Sequence, residues 1–381
     1  MKKAKRSILL LTVLLIAAMG SANVFTNPPF TVDDLLVLEG QQLAKNAQLQ
    51  NTRFSQQKQA FVLADNATSG NAHLGPLSTK FPFNEALPSW NGWAPPDGGW
   101  IVWMRVGNDN GWTPWFEAGS WGAVSDDATT RVAQFPQGIY DTDSLLLKDP
   151  MQYVEFRIEL QRKDPASPSP EVRLVALSYS NSLGDRALWE RYARTRTPQS
   201  PKLDARKTTF TLPMEFRSQV VPNPQWIGRI CAPASLAMAA SAFGVKVPTE
   251  QFAGEVYDPV SDLFGVWHRM VQGGAQHGLR GYITRIRSWE VLRQEVEKGH
   301  AVCASIRFRF GEIPHPPRIY AKRGTQGHLV AIVGLGPKGT ILVHDSASKD
   351  WGRFNEWTQE QLQKAWFDKG GVAIVFTGTA R

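Results

Sequence analysis

The hydrophobic pattern of this chain changes once along its length, and that change limits the folds open to it. From about Gly70 to Ser182, apolar and polar residues alternate singly: Val154, Phe156, Ile158 and Leu160 stand against Glu155, Arg157, Glu159 and Gln161, and Val172, Leu174 and Ala176 repeat the pattern. A period of two describes half-buried antiparallel strands, and turn clusters such as Pro95-Pro96-Asp97-Gly98-Gly99 separate the runs. Strands at such spacing without helical segments between them predict an all-β sandwich of jelly-roll type over residues 67–185. Beyond about Lys207 helical and strand patterns mix, and residues 209–381 are enough for a second, α+β domain with its own core. The stretch Arg194-Thr195-Arg196-Thr197-Pro198-Gln199-Ser200-Pro201, with two prolines and no periodicity, predicts a linker over 186–208, and few contacts are expected across it.

Ahead of both domains, Lys2, Lys3, Lys5 and Arg6 precede an uncharged apolar run from Ile8 to Met19, followed by Gly20-Ser21-Ala22. About a dozen apolar residues are too few for a membrane span, which needs roughly twenty, so residues 1–22 are expected to be a signal peptide cut before Asn23. No cysteine follows the run, which argues against a lipid anchor, and no later segment is apolar for long enough to span a bilayer. The mature protein is expected to be secreted, or held in the cell envelope. Residues 23–66, rich in Gln, Asn and Lys with one apolar cluster at Leu35-Leu36-Val37-Leu38, read as a tether with a short helix. The formal charge of +8 is spread along the chain without a run of like charges, so no nucleic-acid partner is expected.

Seven of the fourteen tryptophans fall in the β-region: Trp90, Trp93, Trp100, Trp103, Trp112, Trp115 and Trp121. Indole faces stack on sugar rings, which would give this domain a cell-wall or carbohydrate ligand, but large aromatics fill sandwich cores equally well. The segments Ser89-Trp90-Asn91 and Trp112-Thr113-Pro114-Trp115 resemble accessory β-domains found beside secreted bacterial peptidases.

The chemically informative segment is Gln225-Trp226-Ile227-Gly228-Arg229-Ile230-Cys231-Ala232-Pro233-Ala234-Ser235. An uncharged, Ala-rich run from Ala232 to Gly244, with Pro233 suited to a first turn and Gly244 to an end, predicts a buried helix that Cys231 opens. Free N–H groups and the helix dipole at that position favour a thiolate, the nucleophilic form of cysteine. A small apolar residue packed beside a core helix fits the same residues. Cys303 is the chain's second cysteine, which leaves a single disulfide between the two as another reading. Downstream, Gly327-His328-Leu329-Val330-Ala331-Ile332-Val333-Gly334 and Ile341-Leu342-Val343-His344-Asp345 predict a β-hairpin that makes His328 and Asp345 neighbours. Gln225, six residues before Cys231, is near enough in sequence to contribute an amide to an oxyanion hole.

The Gln225-x5-Cys231 spacing, the Cys-x-Pro-x-Ser helix opening, the Gly-His-x-Val-x-Ile-x-Gly strand and the Val-x-Asp strand together resemble papain-like peptidases of the bacteriocin-processing (double-glycine leader) family, over roughly Met214 to Phe376. The resemblance implies a papain-like cysteine peptidase fold, with Cys231 as nucleophile, His328 as general base and acid, Asp345 as the residue that orients His328, and Gln225 as oxyanion donor. It implies a peptide or protein substrate and no cofactor or metal. Ala232 and Ser346 depart from the Gly and Pro usual in that family. A peptidoglycan amidase or transpeptidase, and a non-catalytic peptide- or wall-binding module, are alternatives on the same fold. His268, His277, His300 and His315 lack metal-ligand spacing and read as surface or loop residues, and Cys303 as a core strand residue.

Overall fold

The computed structural model describes residues 28–45, 47–124, 128–192 and 210–379. The expected signal peptide and the Pro-rich part of the expected linker lie outside them, while Arg186–Tyr192 is a helix.

Single alternation does produce strands here. The described residues up to Asn181 form twelve antiparallel strands in one hydrogen-bonded set, dominated by Ser69–Trp93, Gly98–Asn108, Ser144–Arg162 and Glu171–Asn181. Ser69–Trp93 and Ser144–Arg162 pair through three register shifts, each of which bends the strands and lets one long segment serve two parts of the sheet. The expected tether is corrected by the structure. Its apolar cluster lies in the strand Val32–Glu39, paired with Glu171–Asn181, and Ala47–Gln50, Thr52–Ser55 and Ala60–Leu63 extend the same set. A short helix is present at Gly40–Lys45. A four-residue apolar run is ambiguous between helix and strand, and here the open edge of a sheet beside it decided.

The tryptophans are used within the fold. Trp90 and Trp100 are fully buried and Trp121 nearly so. Half-buried Trp112, Trp115 and Trp103 are interleaved with arginines: Arg105 lies 4.9 Å from the Trp112 ring and 4.7 Å from Trp115, and Arg157 lies 5.2 Å from both Trp115 and Trp103. Indole faces that the sequence offered to sugars are occupied by guanidinium groups of the same sheet.

The C-terminal region is mixed α/β. Its antiparallel sheet has the order Leu279–Arg285, Val372–Thr379, Ala301–Phe308, Thr325–Leu335, Ile341–His344, Asn355–Trp357. The helices Cys231–Ser241, Thr249–Val256 and Trp267–Gln276 pack together beside it, and the expected helix around Trp289, Leu292 and Val296 is Trp289–Glu297.

Few contacts were expected between the regions, yet they share a core. Trp90, Met104 and Trp121 belong to the same apolar cluster as Leu236, Met270, Ile283 and Phe376. The Gly281 strand is an edge whose outward main-chain groups need partners. Asn91 supplies two, accepting from Gly281 N–H at 3.0 Å and donating to its carbonyl at 2.8 Å, and Ser89 Oγ accepts from Ile283 N–H at 3.2 Å. Gly281 has no room for a side chain, since a Cβ there would meet the Phe376 ring at 2.6 Å. One step on, Arg285 and Glu85 form a buried ion pair at 2.7 Å. His268, expected at a surface or loop, is buried against the Trp90 ring at 4.7 Å, and that burial lowers its pKa to about 3. Glu85, Ser89 and Asn91, which share one face of the strand Ser69–Trp93, are here the seal on a neighbouring sheet.

Candidate active site

The loop before Cys231 is anchored by a small apolar cluster in which Ile230, Ala253 and Phe264 pack with Val221, Trp226 and Tyr257. Gly228 turns this loop at φ +77°, a conformation that side chains disfavour. The helix Cys231–Ser241 then begins as expected with Pro233 in its first turn, and no side chain caps its N-terminus. Its first-turn N–H groups are left to the site, and Ala232 N–H and Leu329 N–H both bond the Cys231 sulfur.

The strand pair Thr325–Leu335 and Ile341–His344 is the expected hairpin, with Ala331 opposite His344. His328 sits at its open end, where Nε2 lies 2.9 Å from Asp345 Oδ1, and its ring also hydrogen-bonds the Cys231 sulfur. With Nε2 committed to Asp345, Nδ1 is the nitrogen left for the sulfur. Asp345 is fully buried and held by two more donors: the Tyr320 hydroxyl at 2.6 Å to Oδ2 and the Ala347 N–H at 2.9 Å to Oδ1. Three sequence-predicted residues are therefore joined in one hydrogen-bonded line. Tyr320 was missed, because it reaches Asp345 from the single 3-10 turn Arg318–Tyr320, which is too short to carry a periodic signal.

The electrostatics follow from this line. Burial raises the Cys231 pKa, but the His328 cation, its hydrogen bond and the two N–H donors outweigh burial and leave it below the ordinary thiol value. Burial likewise opposes the charge on His328, yet the Asp345 and Cys231 anions raise its pKa to about 10. Asp345 is held below the ordinary carboxylate value despite its burial, by His328, Tyr320 and the Ala347 N–H. All three shifts favour a thiolate–imidazolium pair near neutral pH.

Cys231 is half-buried at the base of a solvent-open cleft of about 340 Å³. Arg229, Asp262, Phe264 and Trp267 line its helical side, and Ser305, Arg307, Gln326, Leu329 and Val372 its sheet side. Gln225, the expected oxyanion donor, is exposed and is not among the residues that line the cleft, whereas Gln326, also exposed, is. Both cysteines are free, which removes the disulfide reading. His344 is buried away from the cleft, with Nε2 facing the Met214 carbonyl and Nδ1 accepting the Phe354 N–H. His277 and His300 pair with Glu255 and Glu295, and no cluster among the described residues is suited to a metal ion.

No curated protein matches the chain. Among solved structures it is similar to a family 29 carbohydrate-binding module from Piromyces equi at 16% identity, covering 42% of this chain and 99% of that one, but the TM-score of 0.21 gives the likeness no weight. Two family models match. The Peptidase C39 N-terminal domain matches residues 37–180, and the Peptidase_C39 like family matches residues 213–374, the part that holds Cys231, His328 and Asp345. Between them they cover both regions of the fold, and the chain is a member of the C39-like peptidase family.

Proposed function

We propose that this protein is a secreted cysteine peptidase whose C-terminal region has the papain-like fold, packed on a sandwich of jelly-roll type. The observation that carries the reading is the line Cys231–His328–Asp345, with the sulfur at an uncapped helix N-terminus and open to a cleft. In the mechanism, the Cys231 thiolate attacks the carbonyl carbon of a peptide bond. First-turn N–H groups stabilise the oxyanion. His328 gives its proton to the departing amine, leaving an acyl-thioester on Cys231. Neutral His328 then takes a proton from water, whose oxygen attacks the thioester and releases the acid product and the thiolate. Asp345 keeps the imidazole oriented throughout. The N-terminal apolar run supports export, with cleavage before Asn23 as its specific form.

The test is a peptide library offered to the mature protein and to its Cys231→Ala variant. Cleavage by the first and not by the second is the expected result. Release of amines from peptidoglycan without cleavage of peptides would instead identify a wall amidase. A Cys231 that resists alkylation, together with no turnover, would make the chain a binding module.

A further inference from the structure

The sheet side of the cleft is basic. Arg307 follows Ile306, the residue paired with His328, and lines the cleft together with Ser305, two residues before it on the strand. Lys369 lines the same end. Two carboxylates accompany these cations: Asp262 bonds Arg229 at 2.7 Å and the Tyr257 hydroxyl at 2.9 Å, and Glu312 bonds Lys369 and the Arg309 N–H and also attracts the Arg307 charge. Three cations, Arg229, Arg307 and Lys369, against two anions, Asp262 and Glu312, leave one positive charge in excess, and the Cys231–His328 pair adds no net charge. Phe264, Trp267, Leu329 and Val372 add apolar surface beside these charges, which lowers the local polarisability around an ion pair formed there.

Resting on the peptidase reading, we propose that Arg307, with Lys369, selects peptides that carry a carboxylate beside the scissile bond. A Glu or Asp side chain there meets a fixed guanidinium fork, which suits a planar carboxylate better than an ammonium does. The cost of bringing that carboxylate out of water is offset by the net charge already in place.

The experiment uses two readouts on the full mature protein. In the first, kcat/KM is measured for matched peptides that differ only by Glu or Gln at each position flanking the cleaved bond, for wild type, Arg307→Gln and Lys369→Gln. At one position wild type favours Glu by about fivefold or more, the size of one half-exposed ion pair, and the ratio falls toward one in Arg307→Gln. In the second, Cys231 is alkylated with iodoacetate and with iodoacetamide, and the ratio of the two rates is compared across the same variants. Neutralising Arg307 lowers the iodoacetate rate relative to iodoacetamide, with Lys369→Gln moving it the same way. Ratios unchanged in a folded Arg307→Gln overturn the proposal, as does a wild type indifferent to Glu at every position. If no peptide is cut while Cys231 still alkylates, the peptidase reading fails, and the alkylation ratio alone decides whether the cleft is charge-selective.

Discussion

Cys231 begins a helix and Cys303 touches the same helix from the sheet, and the two end in opposite chemical states. Cys303 Sγ lies 3.5 Å from the Ser235 carbonyl, one turn along the helix that Cys231 begins. Cys303 is fully buried with no charge near it, and burial pushes its thiol up to about 12. Cys231 is also penalised by its surroundings, but a cation and two N–H groups face it, and its thiol moves down. Burial by itself thus makes a thiol inert, whereas burial beside an organised positive field makes it a thiolate.

The sharpest way to break this contrast is to remove either partner at the open end. Cys231→Ala and His328→Ala should each lower kcat by about 10⁴-fold or more with the fold intact, because the pair acts as a unit. Turnover within tenfold of wild type in either variant would dismiss the assignment. Asp345→Asn should come next, at roughly 10³-fold in kcat, through loss of imidazole orientation. It should also move the pH profile in a stated direction. Wild-type activity rises as pH passes the lowered Cys231 pKa and falls as pH passes the raised His328 pKa, about 10. Removing the Asp345 anion takes away the main support for charge on His328, so the falling limb should shift to lower pH; a profile that stays in place would show that Asp345 is not coupled to the imidazole.

Tyr320→Phe should be milder, lowering kcat by about tenfold, since it deletes one hydrogen bond to a charged group while Ala347 N–H and His328 still hold Asp345. The smallest effect belongs to the closed end. Cys303→Ala should retain catalysis and lower unfolding stability by about 1 kcal/mol, seen in chemical denaturation. Brief iodoacetamide treatment, followed by intact-mass measurement, should add one label to the wild type and none to Cys231→Ala. Labelling of Cys303 at a similar rate would erase the contrast between the two sulfurs.

The sequence was most informative where local chemistry and periodicity agree. Cys231 with Pro233 and an uncharged Ala-rich run specifies a buried helix and its first turn, and the runs around His328 and Asp345 specify adjacent strands, because period and turn residues act over a few neighbours. The change of period near residue 200 likewise predicts an all-β region followed by a mixed one, the order found here. Tertiary structure decided the rest. Leu35–Leu38 became a strand because a sheet edge lay beside it; Gln326 rather than Gln225 came to line the cleft; and Tyr320 found Asp345 from a single 3-10 turn. The linker composition also says nothing of what the two regions do once they are side by side, and there Glu85, Ser89 and Asn91 seal the Gly281 strand. These outcomes depend on contacts between residues distant in the chain, many of them between the two halves, and on burial that removes water from both partners at once. No window of local sequence contains that information.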